Sequence, residues 1–167
     1  MGGELRVKNT LKMALIFVLL FSVFAVSPVL AKKPLVPFKA NVTGVAGPPP
    51  SGAPPWYMEV YGAGVATHMG KVAVFQSHYV TPTSDPYLLD FSDGVFFWTA
   101  ANGDELHGTY SGQLQVVSEV LSEIHGTFVI DGGTGRFQSA TGGGSASGTQ
   151  SLVDGSAVLI LEGSITY

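Results

Sequence analysis

The fold is decided by residues 131–144, which have the sequence DGGTGRFQSATGGG and join two strand-like runs. Glycine adopts positive φ without a Cβ penalty, so the strand that precedes this segment can reverse sharply. The reversal predicts that Phe137 plugs one end of a β-structure and that Arg136 lies at its rim. A phosphate-binding loop is excluded by the motif itself, because no Gly-Lys-Ser/Thr follows and no long helix is predicted after it.

Strand-like sequence continues on both sides of this segment. Residues 102–104, Asn-Gly-Asp, are a strong hairpin signal, and only 117–122 and 137–140 have the character of short helical turns. The pattern predicts an all-β protein, either an antiparallel closed β-barrel of about eight strands or a sandwich. The predicted strands lie at 38–45, from 61 onward, and at 71–80, 94–101, 105–115, 123–130, 143–152 and 156–167.

Four short motifs favour the barrel. They are ATHMGK at 66–71, TAANGDELHG at 99–108, GTF at 126–128 and GGTGRF at 132–137. Together they resemble the allene oxide cyclase-like barrel group and, more distantly, the dirigent proteins. The resemblance implies an eight-stranded antiparallel barrel with a narrow apolar lumen, often in oligomers. It transfers no catalytic residue, because the acidic, amide and thiol lumen groups of the plant cyclases have no motif match in this chain.

The N-terminus has the layout of a secretory signal peptide at residues 1–31. Basic residues precede an apolar run at 13–26, and Val29 and Ala31 suit cleavage before Lys32. A retained anchor is the alternative, although the run is shorter than the roughly 20 residues that span a bilayer. We therefore expect a secreted or extracytoplasmic protein without a stable membrane anchor after cleavage. A Pro-rich lead-in at 32–55, with a possible first strand, then precedes a barrel domain at 56–167.

Composition excludes several classes of function. The chain has no cysteine, which rules out disulfides, a thiol nucleophile and a Cys-ligated zinc site. The formal net charge is −4, and no basic stripe is present, so no nucleic-acid partner is expected. No Gly-x-Ser-x-Gly elbow occurs, and the carboxylates offer no preferred pair for glycoside hydrolysis. The four histidines lack metal-ligand spacing, so we expect neither a metal nor a cofactor.

The aromatic residues are the remaining candidates for ligand contacts and for an interaction surface. Phe96 and Trp98 share one face of their strand, whereas Val95 and Phe97 share the other. The side chains of one face would fill the lumen. The apolar side chains of the other face would need to be covered by a second subunit or by the N-terminal segment, which predicts a homo-oligomer. Ligand contacts are predicted at His68, Trp98 and Tyr110, with His68 as the polar group; a histidine bonded to backbone near a bend is the alternative for His68.

Two functions follow from this sequence. The first is an exported barrel that binds a small apolar ligand or serves as a structural or interaction module. The second is a cofactor-free isomerase or cyclase that acts in the lumen, for which no catalytic residue is assigned.

Overall fold

The computed structural model describes residues 33–48 and 50–167, so the predicted signal peptide at 1–31 lies outside the described residues. The described chain forms eight antiparallel strands closed into a barrel, which confirms the predicted fold class. The strands are β1 (Val36–Ala46), β2 (Trp56–Ala66), β3 (Gly70–Pro82), β4 (Leu88–Ala100), β5 (Glu105–Ser118), β6 (Leu121–Gly133), β7 (Thr141–Ser151) and β8 (Ser156–Thr166).

Each strand pairs with the next one along the chain, and β1 pairs with β8 to close the barrel. Ala40, for example, lies opposite Ala66 of β2 on one side and Leu161 of β8 on the other. Closure leaves no strand edge free for pairing with another chain. Because neighbouring strands run antiparallel, the loops that follow β1, β3, β5 and β7 lie at one end of the barrel. The loops that follow β2, β4 and β6 lie at the other end.

The second of these ends is closed by the segment that predicted the fold. A single 3₁₀ turn, Gly135–Phe137, follows β6, and Phe137 is fully buried as the predicted plug. Gly135 has φ 55°, and an added Cβ there would collide with the Asp104 carboxylate. Arg136 lies at the rim, where its Nε is 3.5 Å from Asp104 Oδ2. The predicted helical turn at 117–122 is wrong, because β5 runs to Ser118 and β6 begins at Leu121.

Strand β4 begins at Leu88, six residues before the start predicted at 94. The prediction missed these residues because a β-bulge interrupts their alternation. Its pairing with β5 shifts between Phe91 and Gly94, its pairing with β3 shifts between Ser92 and Val95, and Asp93 has φ 51°. The extra residue changes which residues face inward, so Phe91 and Phe96, five positions apart, both lie inside the barrel. A strict period of two would have placed one of them outside.

The outer surface of β2, β3 and β4 carries an aromatic patch, which we define as Tyr57, Tyr61, Phe75, Tyr79 and Phe97. Tyr57 and Tyr79 have ring centroids 5.5 Å apart, and Phe75 lies 5.1 Å from Tyr61 and 6.4 Å from Phe97. Phe97 is 43% exposed. The predicted apolar outer face of β4 is therefore part of a wider surface.

None of the helical segments in the described part has the length and apolar character that a bilayer crossing demands.

Candidate functional site

The open end of the barrel leads into a cavity of about 770 Å³. Its mouth lies between the β1–β2 loop, at Gly47 and Pro48, and the β7–β8 loop, at 152–155. Its floor is formed by Phe96 and Phe128, both almost completely buried. The volume lies within the range of typical small-molecule sites, roughly 300–1,000 Å³.

Most of the cavity wall is apolar. Strands β7 and β8 contribute Ala146, Leu159 and Leu161, and the mouth is flanked by Leu152 and Val153. These inward positions alternate with exposed residues, as expected for strands with one face inside a barrel. Toward the mouth β7 also contributes the amide of Gln150, so only the deeper part of this wall is limited to dispersion contacts.

The polar groups of the inner cavity lie on the opposite side. Gln76 and His78 are two positions apart on β3, so both point inward, and Tyr110 of β5 meets His78 from across β4. His78 Nδ1 is 2.6 Å from the Tyr110 hydroxyl, and the two rings pack edge to face with centroids 5.6 Å apart. An imidazole and a phenol thus form a hydrogen-bonded pair at the side of an apolar chamber.

Burial keeps both members of this pair neutral. Removal from water disfavours the imidazolium and lowers the pKa of His78 to about 4. The same effect disfavours the phenolate and raises the pKa of Tyr110. At neutral pH the pair therefore offers hydrogen-bonding capacity without a charge.

The β4 bulge and two inward glycines position this pair. The Phe91 ring packs against both members, with centroids 5.6 Å from His78 and 5.9 Å from Tyr110. It occupies the space that side chains at positions 112 and 126 would fill, since a Cβ on Gly112 would lie 2.5 Å from the ring and one on Gly126 would lie 3.1 Å away. The bulge turns Phe91 inward, and the absence of side chains at Gly112 and Gly126 leaves the space that its ring occupies.

The three residues predicted to contact a ligand do not lie together. Tyr110 lines the cavity. Trp98 is only 1% exposed and lies below the floor, packed against Phe38 and Phe96, outside the cavity lining. Its Nε1 is fully enclosed without a hydrogen-bond partner among the described residues.

His68 lies at the closed end, away from the cavity. It has φ 66°, its Nε2 is 2.9 Å from the Pro37 carbonyl oxygen, and its ring packs 5.2 Å from that of Tyr167. This is the alternative weighed for His68, a histidine bonded to backbone beside a bend. The geometry gives neither His68 nor Trp98 a route to a ligand in the cavity, and their role in binding stays a prediction.

The sequence interpretation missed Gln76 and His78. The signal was present, since strict alternation places positions 72, 74, 76, 78 and 80 of β3 on one face, and the other three are valines. Two polar residues on an otherwise apolar inward face indicate a site. Metal-ligand spacing among the histidines carries no information about a His–Tyr pair. Across residues 33–48 and 50–167, no three His, Asp or Glu side chains converge as a metal would require.

A solved structure, that of the pterocarpan synthase dirigent protein PsPTS1, is similar to this chain with a TM-score of 0.48 and 16% sequence identity. The match covers 82% of this chain and 96% of that one. No known protein family matches the sequence, and no curated protein matches it significantly. At this identity the likeness concerns the fold alone, and the resemblance to the allene oxide cyclase-like group stays a prediction.

Proposed function

We propose that this chain is an exported barrel that binds a small, predominantly apolar ligand in its open-ended cavity. The observation that carries the proposal is the cavity itself, which is large enough for a small molecule, apolar over most of its wall and reachable from one end. Sites with these properties are typical of small-molecule binding proteins. A purely structural barrel would be expected to fill its lumen with side chains, as the closed end of this barrel does around Phe137.

The first test is a native mass spectrum of the protein purified gently from its host's exported fraction. A co-purifying small molecule supports ligand binding. An empty protein is then titrated with the uncharged fluorophore N-phenyl-1-naphthylamine, whose emission rises in apolar sites.

A matched pair of variants assigns any binding to the lumen. Ala146→Phe places a ring inside the cavity, whereas Ala63→Phe places the same ring on the exposed outer face of β2. We expect at least tenfold weaker fluorophore binding for Ala146→Phe and no change for Ala63→Phe, with thermal melting as the check on folding. Equal binding by both variants, or none by the wild type, would contradict the proposal.

The second candidate function is a cofactor-free isomerase or cyclase, and the His78–Tyr110 pair favours it. For this function the pair would adopt the tautomer in which His78 Nδ1–H donates to the Tyr110 oxygen, so that Nε2 of the neutral imidazole is free to accept a proton from the ligand. Turnover of a co-purified ligand in D₂O would incorporate deuterium if His78 exchanges protons with it. His78→Leu should then retain ligand and lose the deuterium, whereas a ligand recovered unlabelled from the wild type would favour binding alone.

Two further parts of the proposal concern the setting of the barrel. The N-terminal pattern at 1–31 supports export, which is tested by sequencing the N-terminus of the mature protein. The aromatic patch supports assembly with a second copy of the chain, because monomers seldom leave such surfaces bare. Light scattering on the mature protein measures that assembly, and a strict monomer at micromolar concentration would contradict it.

A further inference from the structure

We infer that the cavity selects an uncharged ligand whose inner end carries a hydrogen-bond acceptor, such as a ketone or ether oxygen, bound by His78 and Gln76. The inference rests on the proposed function, because it specifies the ligand class of the same cavity. Three features of the cavity wall lead to it.

The first feature is the one-sided polarity of the inner cavity. Gln76 lies at the level of the floor residue Phe96, its partner across β3 and β4, and His78 follows one layer nearer the mouth. The facing wall, on β7 and β8, is Ala146 and Leu161. A ligand in this space therefore has one polar side and one apolar side, and its polar group must lie deep in the cavity beside β3.

The second feature is the direction in which the pair presents its proton. Imidazole is a better base than a neutral phenol, so Tyr110 donates its hydroxyl proton to His78 Nδ1. The ring proton then resides on Nε2. Within the described residues, Nε2 has no hydrogen-bond partner, and only Trp98 Nε1 is both unpartnered and fully enclosed. Nε2–H is thus an accessible donor, which requires an acceptor on the ligand.

The third feature is the absence of positive charge from the described cavity lining. No Lys or Arg is among the lining residues, and the one carboxyl among them is that of Asp154, at the mouth. Lys39 pairs with Glu162 on the outer surface, and Arg136 pairs with Asp104 at the closed end. A carboxylate at the inner end of the cavity would lose its hydration without gaining a counter-ion, which is strongly unfavourable. The site therefore discriminates against anions.

Three probes of nearly equal shape separate these contributions. They are 2-acetylnaphthalene, a neutral ketone; 2-ethylnaphthalene, the matching hydrocarbon; and 2-naphthoate, an anion. Calorimetric titration at about pH 7.5, where His78 is neutral, should show the ketone binding about 3- to 10-fold more tightly than the hydrocarbon, the usual value of one net hydrogen bond. Naphthoate should bind at least about 100-fold more weakly than the ketone, because its charge is desolvated without a partner.

Variants then assign the ketone preference to its donor. In His78→Leu the ratio of ketone to hydrocarbon affinity should fall most of the way to about 1, and in Gln76→Leu it should fall by a smaller part. The control is His125→Leu, since His125 is on the outer surface beside Glu123 and should leave the ratio unchanged. The comparison of the three probes on the wild-type protein stands even where a variant fails to fold.

The outcomes distinguish this inference from the proposed function. Binding of the hydrocarbon as tightly as the ketone, binding of naphthoate as tightly as the ketone, or a ketone preference that survives in His78→Leu would each overturn the inference and leave a binding cavity in place. Failure of all three probes, including the hydrocarbon, would overturn the proposed function together with the inference.

Discussion

Replacing His78 with leucine should remove a large part of the protein's sensitivity to mild acid. The folded protein holds the pKa of His78 at about 4, whereas an unfolded histidine titrates near 6.5. Between these values the unfolded chain binds more protons than the folded one, so stability falls as the pH falls through this window. Above about pH 6.5 both states are neutral at this ring, and His78 contributes no pH dependence.

The magnitude follows from the two pKa values. A difference of about 2.5 units corresponds to about 3 kcal/mol in full, and about 2.5 kcal/mol of it develops between pH 7.5 and 4.5. The free energy of unfolding should therefore fall by about 2–3 kcal/mol more in the wild type than in His78→Leu over this interval. Leucine is a suitable replacement because it suits the apolar surroundings, and the phenol of Tyr110 that it leaves behind still faces the cavity.

Urea denaturation at a series of pH values, followed by tryptophan fluorescence, measures this difference. His125→Leu, at an exposed outer position, serves as the control and should follow the wild-type profile. The carboxylates titrate in all three proteins, so their effect cancels in the comparison. Parallel profiles for wild type and His78→Leu, within about 0.5 kcal/mol, would refute the reasoning and mean that water in the cavity keeps the imidazole solvated.

Other predictions concern the packing of the barrel. Gly112→Val should lower the free energy of unfolding by about 3 kcal/mol, because its side chain would meet the Phe91 ring and the facing backbone; Gly47→Val, where no atom lies within 4 Å, should change it little. Phe137→Ala should cost about 3–5 kcal/mol in chemical denaturation, since it empties the plug of the closed end, and a loss below 1 kcal/mol would contradict that role. Phe97→Asp, in the aromatic patch, should weaken self-association at least tenfold in light scattering, whereas Val129→Asp, on the outer face of β6, should not. Equal association by these two variants would remove the patch as the interface.

The strands and the closed end were predictable because their signals are local. Alternation over 71–80 and the turn at 102–104 depend on neighbours in the chain, and the glycines of 131–144 predicted the reversal that buries Phe137. The first residues of β4 were missed because the local signal is broken there. Its polar bulge at Ser92 and Asp93 interrupts the period of two, so residues 88–93 lack the alternating pattern that identifies a strand.

The site was predictable only in part. Tyr110 was predicted as a ligand contact because it is one of the aromatic residues of the strand-like runs, and it lines the cavity. Trp98 has the same inward orientation, but the sequence does not tell how far along the barrel the side chains fill the lumen. His68 was selected for its bend, and the bend directs its Nε2 to the Pro37 carbonyl.

The sequence by itself determined the all-β class, the alternation of inward and outward residues along most strands and the plugged end, because each depends on backbone geometry between residues near one another in the chain, whereas the closure of β1 on β8 joins opposite ends of the domain. Only the tertiary structure decided that one end of the lumen stays open and that His78 and Tyr110, 32 positions apart, share a hydrogen bond. Those features depend on the β4 bulge, which sets the inward position of Phe91, and on the glycines of β5 and β6 that give its ring room. The sum of side-chain volumes across strands distant in sequence, rather than any local pattern, leaves the cavity beside them.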